Sequence, residues 1–190
     1  MKVLNILSIA TIVTILAGCT AVPMEPKAEK NPMVGGAAMF ANKNIVENAI
    51  NSKDHTTLVA AVKAAGLVET LQGPGPFTVF APVNAAFDAL PKGAVANLLK
   101  PENKAALTKV LTCHVVGTNA MSFAIKKMIA DDGGTHPVKT LGGCTLQASY
   151  AADKITLTDE NGRTATVTIA DVRQSNGVIH VIDTVLLPKQ

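Results

Sequence analysis

The chain has 190 residues, with 17 Lys and Arg against 14 Asp and Glu, 4 His, 3 Cys, 1 Tyr and no Trp. A formal net charge of +3 gives no strong steering field. Without a Lys/Arg cluster or aromatic rings to stack on bases, the composition excludes an ordinary nucleic-acid interface and argues against a stacking-type carbohydrate site.

Residues 1–18 carry one cation, Lys2, then an apolar stretch from Val3 to Leu16 interrupted by Asn5, Ser8, Thr11 and Thr14. That stretch falls short of the roughly 20 residues of a bilayer span and reads as an export signal, absent from the mature chain. The next residues, Leu16-Ala17-Gly18-Cys19, resemble the lipobox of bacterial lipoproteins, whose Cys becomes the lipidated N-terminus. The resemblance implies lipidation at Cys19 and a membrane anchor, each buried acyl methylene contributing about 0.8 kcal/mol. Thr20, where an Asp would favour inner-membrane retention, points to the outer membrane of a cell envelope. No later segment is long and apolar enough to span a bilayer. Residues 19–41, with Pro23, Pro26, Pro32 and the pair Gly35-Gly36, read as the lipidated Cys and a tether, and residues 42–190 as one domain.

Ile45, Val46, Ala49 and Ile50 predict a short helix. Leu58, Val59, Val62 and Ala65 predict a longer one, with N-cap candidates at Asp54 to Thr57 and Gly66 as its left-handed terminus. Phe77–Phe80 is an apolar strand stopped by Pro82, and Asn84 is placed to cap a short helix bearing Phe87 and Leu90. Pro101 and Glu102 open a helix carrying Leu107, Val110 and Leu111; His114 follows on a short apolar strand, and Phe123 to Met128 forms another helical piece.

The back half alternates like strands: Ile155–Thr158 and Thr164–Ala170 flank Asn161-Gly162, a tight hairpin signal. Asn176-Gly177 reads as a turn launching a β-branched strand from Val178 to Val185, buried on both faces, with Ile179 and Val181 on one side and Val178 and Ile182 on the other. Helices early and strands late give an α+β fold rather than a parallel βαβ sheet.

The segments "GPFTVFAPVNAAFDALP" (75–91), "VLTCHVV" (110–116) and "NGVIHVIDTVLLP" (176–188) closely resemble the boxes of the fasciclin domain, in order and spacing, over about Asn44 to Pro188. The resemblance implies a wedge-shaped β-sheet core with helices around it. It makes Thr78, Phe80, Pro82, Asn84, Phe87, Asn176, Gly177, His180 and Asp183 structural motif positions. It also implies an extracellular module for adhesion or protein binding, without cofactor, metal or catalysis, whose partner is an envelope protein or a second copy of itself. In adhesive members an Asp followed by an aliphatic residue is implicated in receptor contact, which makes Asp171 and Val172 contact candidates here. The competing reading of that pair has Val172 in the core and Asp171 capping a turn toward Ser175. Cys113-His114 stands where many members have Tyr-His, so a Tyr-dependent contact does not carry over.

His114 reads as a core histidine, with partner contact as its alternative. On a strand, His180 and Asp183 point to opposite faces, so a Ser175–His180–Asp183 hydrolase triad fails on geometry. A metal site built on His114, Cys113 and His180 lacks the close-spaced pairs of zinc frameworks. Cys113 and Cys144 are the thiols left once Cys19 is lipidated, and in an oxidising compartment they read as a disulfide, against two buried free thiols. The rival functions are a periplasmic structural or envelope-stress lipoprotein with no dedicated partner, and a hydrolase or metal-binding protein using His114 and His180.

Overall fold

The computed structural model describes residues 31–189. The expected export signal, the lipidation expected at Cys19, and Thr20 therefore lie outside the described residues. Part of the segment expected as a tether, which ran to Ala41, is ordered structure here. Strands β1 (Met33–Val34) and β2 (Ala37–Ala38) form a hairpin around Gly35-Gly36, and Val34 and Met39 are buried in the core. Asn31–Gln190 is one compact unit with its own apolar core, the usual condition for independent folding.

Helices gather in the front half. Asn44 caps α1 (Ile45–Ala49) in a reciprocal capping box with Glu47. Helix α2 (Thr56–Ala65) buries Leu58, Ala61, Val62 and Ala65, and ends at Gly66 in the left-handed conformation that its position calls for. Then follow α3 (Val68–Gln72), β3 (Phe77–Pro82), α4 (Asn84–Asp88), α5 (Ala94–Leu98), a 3₁₀ turn at Pro101–Asn103, α6 (Lys104–Thr112), β4 (Val115–Val116) and α7 (Ser122–Asp131). The remaining strands are β5 (Thr135–Lys139), β6 (Thr145–Ala151), β7 (Lys154–Thr158), β8 (Thr164–Gln174) and β9 (Gly177–Ile182).

The seven-stranded sheet runs β4-β3-β9-β8-β7-β6-β5, giving the α+β class. Neighbours are antiparallel except β3 and β9, which pair in parallel from Phe77↔Gly177 to Pro82↔Ile182. β9 thus lies inside the sheet with every residue buried. Its alternation separates two apolar clusters: Ile179 and Val181 join Val79, Ala81 and α1, α2 and α6, while Ile182 joins Phe80, Ile125 of α7 and Leu157 of β7.

Several local expectations are corrected. The turn at Asn161-Gly162 is the wider loop 159–163, closed by the Asp159 N–H donating to the Arg163 carbonyl at 2.8 Å, and in it only Gly162 has a positive φ. The last strand stops at Ile182, though Val185 and Leu186 remain buried. His114 sits in the turn between α6 and β4, not on a strand. Asn84 does not cap its own helix, whose N-cap position is Val83. Its Oδ1 instead accepts the Thr57 N–H (3.0 Å) and its Nδ2 donates to the Lys53 carbonyl (2.9 Å), so it caps α2.

Candidate functional site

The two sequence boxes meet where β3 and β9 run side by side, and their polar side chains hold the segment that leads into α7. Thr78 donates to the Thr118 carbonyl (2.5 Å) and accepts the Ala120 N–H (2.8 Å). His180, wholly buried and 5.7 Å from the Phe80 ring, pairs Nε2 with the Ala120 carbonyl at 2.8 Å and accepts the Asp171 N–H on Nδ1 at 3.3 Å. Those partners fix the neutral tautomer with the proton on Nε2, and burial lowers the ring's pKa, opposed by the Ala120 carbonyl and the Asp171 charge.

Asp171 lies where β8 shifts register against β9, at φ 60°, a bulge that re-aims its side chain. Its carboxylate accepts the Ser122 N–H at 2.6 Å and the Ser122 hydroxyl, capping the first turn of α7. The cap therefore reaches Ser122, whereas the sequence directed it toward Ser175. Val172 is fully buried in the helix-side cluster, which removes it as a contact residue. The residue that the Asp171 cap leaves exposed is Phe123, with 71% of its surface accessible. Sequence reasoning counted Phe123 only as helical; the signal it carried was a large apolar residue in the first turn, away from the buried positions Ile125 and Ile129.

His114 is removed as a contact residue too, being 3% exposed. Its Nδ1 donates to the Val110 carbonyl at 2.8 Å and its Nε2 accepts the Leu186 N–H at 3.0 Å. Burial pushes its pKa down to about 4, against the Val110 carbonyl and the Asp159 charge. Both ring nitrogens of His114 and His180 are thus committed to backbone groups, so neither ring has a lone pair free for a metal or to serve as the base of the hydrolase reading built on them. Among the described residues no group of three or more His, Cys, Asp or Glu is placed to hold a metal ion. Asp183 is exposed and accepts the Thr166 N–H at 2.8 Å, and His180 bonds to neither Asp183 nor Ser175.

Cys113 and Cys144 are joined in a disulfide with Cα atoms 5.4 Å apart, tying the end of α6 to the start of β6. Asn176 acts as a clamp: Oδ1 accepts the Ile45 N–H (3.1 Å), and Nδ2 donates to the carbonyls of Leu71 (2.8 Å) and Gly73 (3.0 Å). Gly177 is required by close approach, since a Cβ there would lie 2.0 Å from the Phe77 carbonyl oxygen. The sequence did not single out Ser52 and His55, a buried pair with Ser52 Oγ 2.8 Å from His55 Nδ1. His55 Nε2 has no well-formed hydrogen bond, and burial lowers the ring's pKa against the Ala81 backbone and the Asp54 charge. The adjoining cavity, about 30 Å³, is otherwise apolar and has no room for a substrate.

Comparison with known proteins agrees with this arrangement. The sequence model of the fasciclin domain matches residues 53–188. Protein sll1483 of Synechocystis sp. is 48% identical over 160 residues, 84% of this chain and 82% of that protein. The cell surface glycolipoprotein MPB83 of Mycobacterium bovis is 35% identical over 167 residues, 85% of this chain and 68% of that protein. Among solved structures, a FAS1 domain pair from the insect cell adhesion molecule Fasciclin I shares the fold at a TM-score of 0.54 and 23% identity, over 68% of this chain and 43% of that one. With its boxes structurally accounted for and the family's sequence model spanning most of its length, the chain belongs to the fasciclin domain family.

Proposed function

We propose that this chain is an exported module, anchored through lipidated Cys19 to the outer membrane of a cell envelope, that binds another protein. The observation that carries the reading is the 35% identity, over 85% of this chain, with a protein named a cell surface glycolipoprotein. The lipobox-like residues before Cys19 fit the same role, and among the described residues no helix is long and apolar enough to cross a membrane. Because residues 33–38 form a hairpin with buried neighbours, the proposed tether shortens to residues 19–30.

The contact we favour is the first turn of α7. Among the described residues Phe123 is the most accessible of the large apolar side chains, and aromatic side chains, Phe included, are enriched at the cores of protein interfaces. Asp171 then acts through the helix it caps. The test is retention of envelope proteins on beads carrying the domain: Phe123→Ala should cut retention several-fold while its melting curve overlays the parent. Equal retention by the two would move the contact elsewhere. Fatty-acid labelling of cells producing Cys19→Ala tests the anchor, and continued labelling of that variant would overturn it.

A further inference from the structure

A groove of about 520 Å³ lies among α5, α6 and the C-terminal segment, a volume within the roughly 300–1,000 Å³ typical of small-molecule sites. Leu98, Val110, Leu187 and Pro188 supply aliphatic lining. Three cations share that lining: Lys109, Arg163 and Lys189. Among the described residues none of them has a carboxylate within 4.0 Å, the ion pairs being Lys100–Glu102, Lys127–Asp131 and His136–Asp132. The nearby acids are hydrogen-bonded to backbone, and Glu160, fully exposed, also feels the charges of Lys189 and Lys109 without forming an ion pair with either. Asp159 accepts the N–H groups of Asn161, Arg163 and Leu187, and Glu160 those of Thr145 and Lys189. Arg163 is half-buried, so its guanidinium has lost part of its water without gaining an acid.

We propose that this groove binds a single-chain anionic amphiphile, its head on Lys109, Arg163 and Lys189 and its alkyl chain along the aliphatic lining. Charge complementarity selects the head, since three cations against the two carboxylates of Asp159 and Glu160, both already hydrogen-bonded to backbone, leave an excess of positive charge that favours a carboxylate or phosphate. The lining selects the tail. A bound peptide brings an N–H and a C=O at every residue that must find partners, and Asn97 is the one neutral polar side chain in the groove. An alkyl chain brings none. A bilayer surface is flat, whereas this site is concave and takes one molecule.

The test uses the unit Asn31–Gln190, which carries both apolar clusters and the disulfide, in detergent-free buffer with the fluorescent fatty acid cis-parinaric acid as probe. Saturable one-to-one binding is expected, with displacement by myristate or by lysophosphatidylglycerol; the better competitor identifies the head group as carboxylate or phosphate. Arg163→Gln with Lys109→Gln should raise the Kd about tenfold or more, and added salt should do the same to the parent. Ala106→Leu, a helix-compatible change on the groove wall, should weaken binding by occupying space without touching charge. Melting curves establish that each variant is folded. The proposal is overturned by absence of saturable binding to the parent, by displacement with neither competitor, by equal affinity in the charge variants, or by myristyl alcohol competing as well as myristate.

Discussion

Asp171 on β8 caps the helix that begins at Ser122, 49 positions earlier in the chain, taking the Ser122 N–H at 2.6 Å and the Ser122 hydroxyl on its two carboxylate oxygens. Read as an exposed loop residue, Asp171 should tolerate replacement with little change in stability; read as a cap, it should not. Asp171→Ala should cost about 1–2 kcal/mol, with a further contribution because Ala takes up φ 60° less readily than Asp. Asp171→Asn, which keeps an acceptor and tolerates that φ, should lose less. Urea melts of the two variants decide the point, and an Ala variant as stable as the parent would refute the cap.

The buried histidines make stability depend on pH. His55, His114 and His180 all have native pKa values below 6.5 because burial disfavours the charged ring. Their stabilising contribution is complete above about pH 6.5. As pH falls below that, the unfolded chain binds protons that the native chain does not, and stability declines until about pH 4, where His114 itself protonates. For His114 the loss across this window is roughly 3 kcal/mol. The urea midpoint should drop between pH 7 and pH 4.5, and an NMR titration should find the His114 ring still neutral at pH 5.5. A His114 resonance titrating near 6.5 would contradict its burial.

Reduction of the Cys113–Cys144 bridge releases a loop spanning 31 positions and should lower stability by roughly 3–4 kcal/mol in the chain-entropy account. Cys113→Ala alone should cost about as much as the double replacement, because either change removes the same constraint. Intact mass after alkylation without reductant reports the bridge, and two alkylated thiols would exclude it.

Gly177→Ala should prevent folding at 37 °C, because its Cβ would press on the Phe77 backbone and force open the parallel pairing that seats β9. Asn176→Ala keeps the backbone but strips three hydrogen bonds from the ends of α1 and α3, a loss of about 2–4 kcal/mol. Circular dichroism and urea melts separate these outcomes. A well-folded Gly177→Ala protein would mean that β3 and β9 can move apart at little cost.

The sequence by itself determined what depends on neighbours along the chain. The spacing of Leu58, Val62 and Ala65 marked the buried face of α2, and Gly66 its end. The β-branched run after Gly177 marked a strand covered on both sides, down to the division of Ile179 and Val181 from Ile182. Periodicity suffices there because burial selects apolar residues at the repeat of the helix or strand. The cysteine pair was legible from its number and from the export that residues 1–18 led one to expect.

Tertiary structure alone decided the partners of the polar side chains and the fate of the N-terminal segment. Asn84 sits at the start of one helix and caps another; Asp171 caps a helix across the sheet; His114 reads as a core histidine, but the Leu186 N–H that its Nε2 accepts lies 72 positions away. Residues 33–40 have a tether's composition, yet Val34 and Met39 are buried in the same apolar cluster as Ile45, Leu58 and Val79. A hydrogen-bonding side chain has the same composition and spacing whichever donor it finally meets. Only the return of β9 beside β3, which brings residues a hundred positions apart into contact, settles which donor that is.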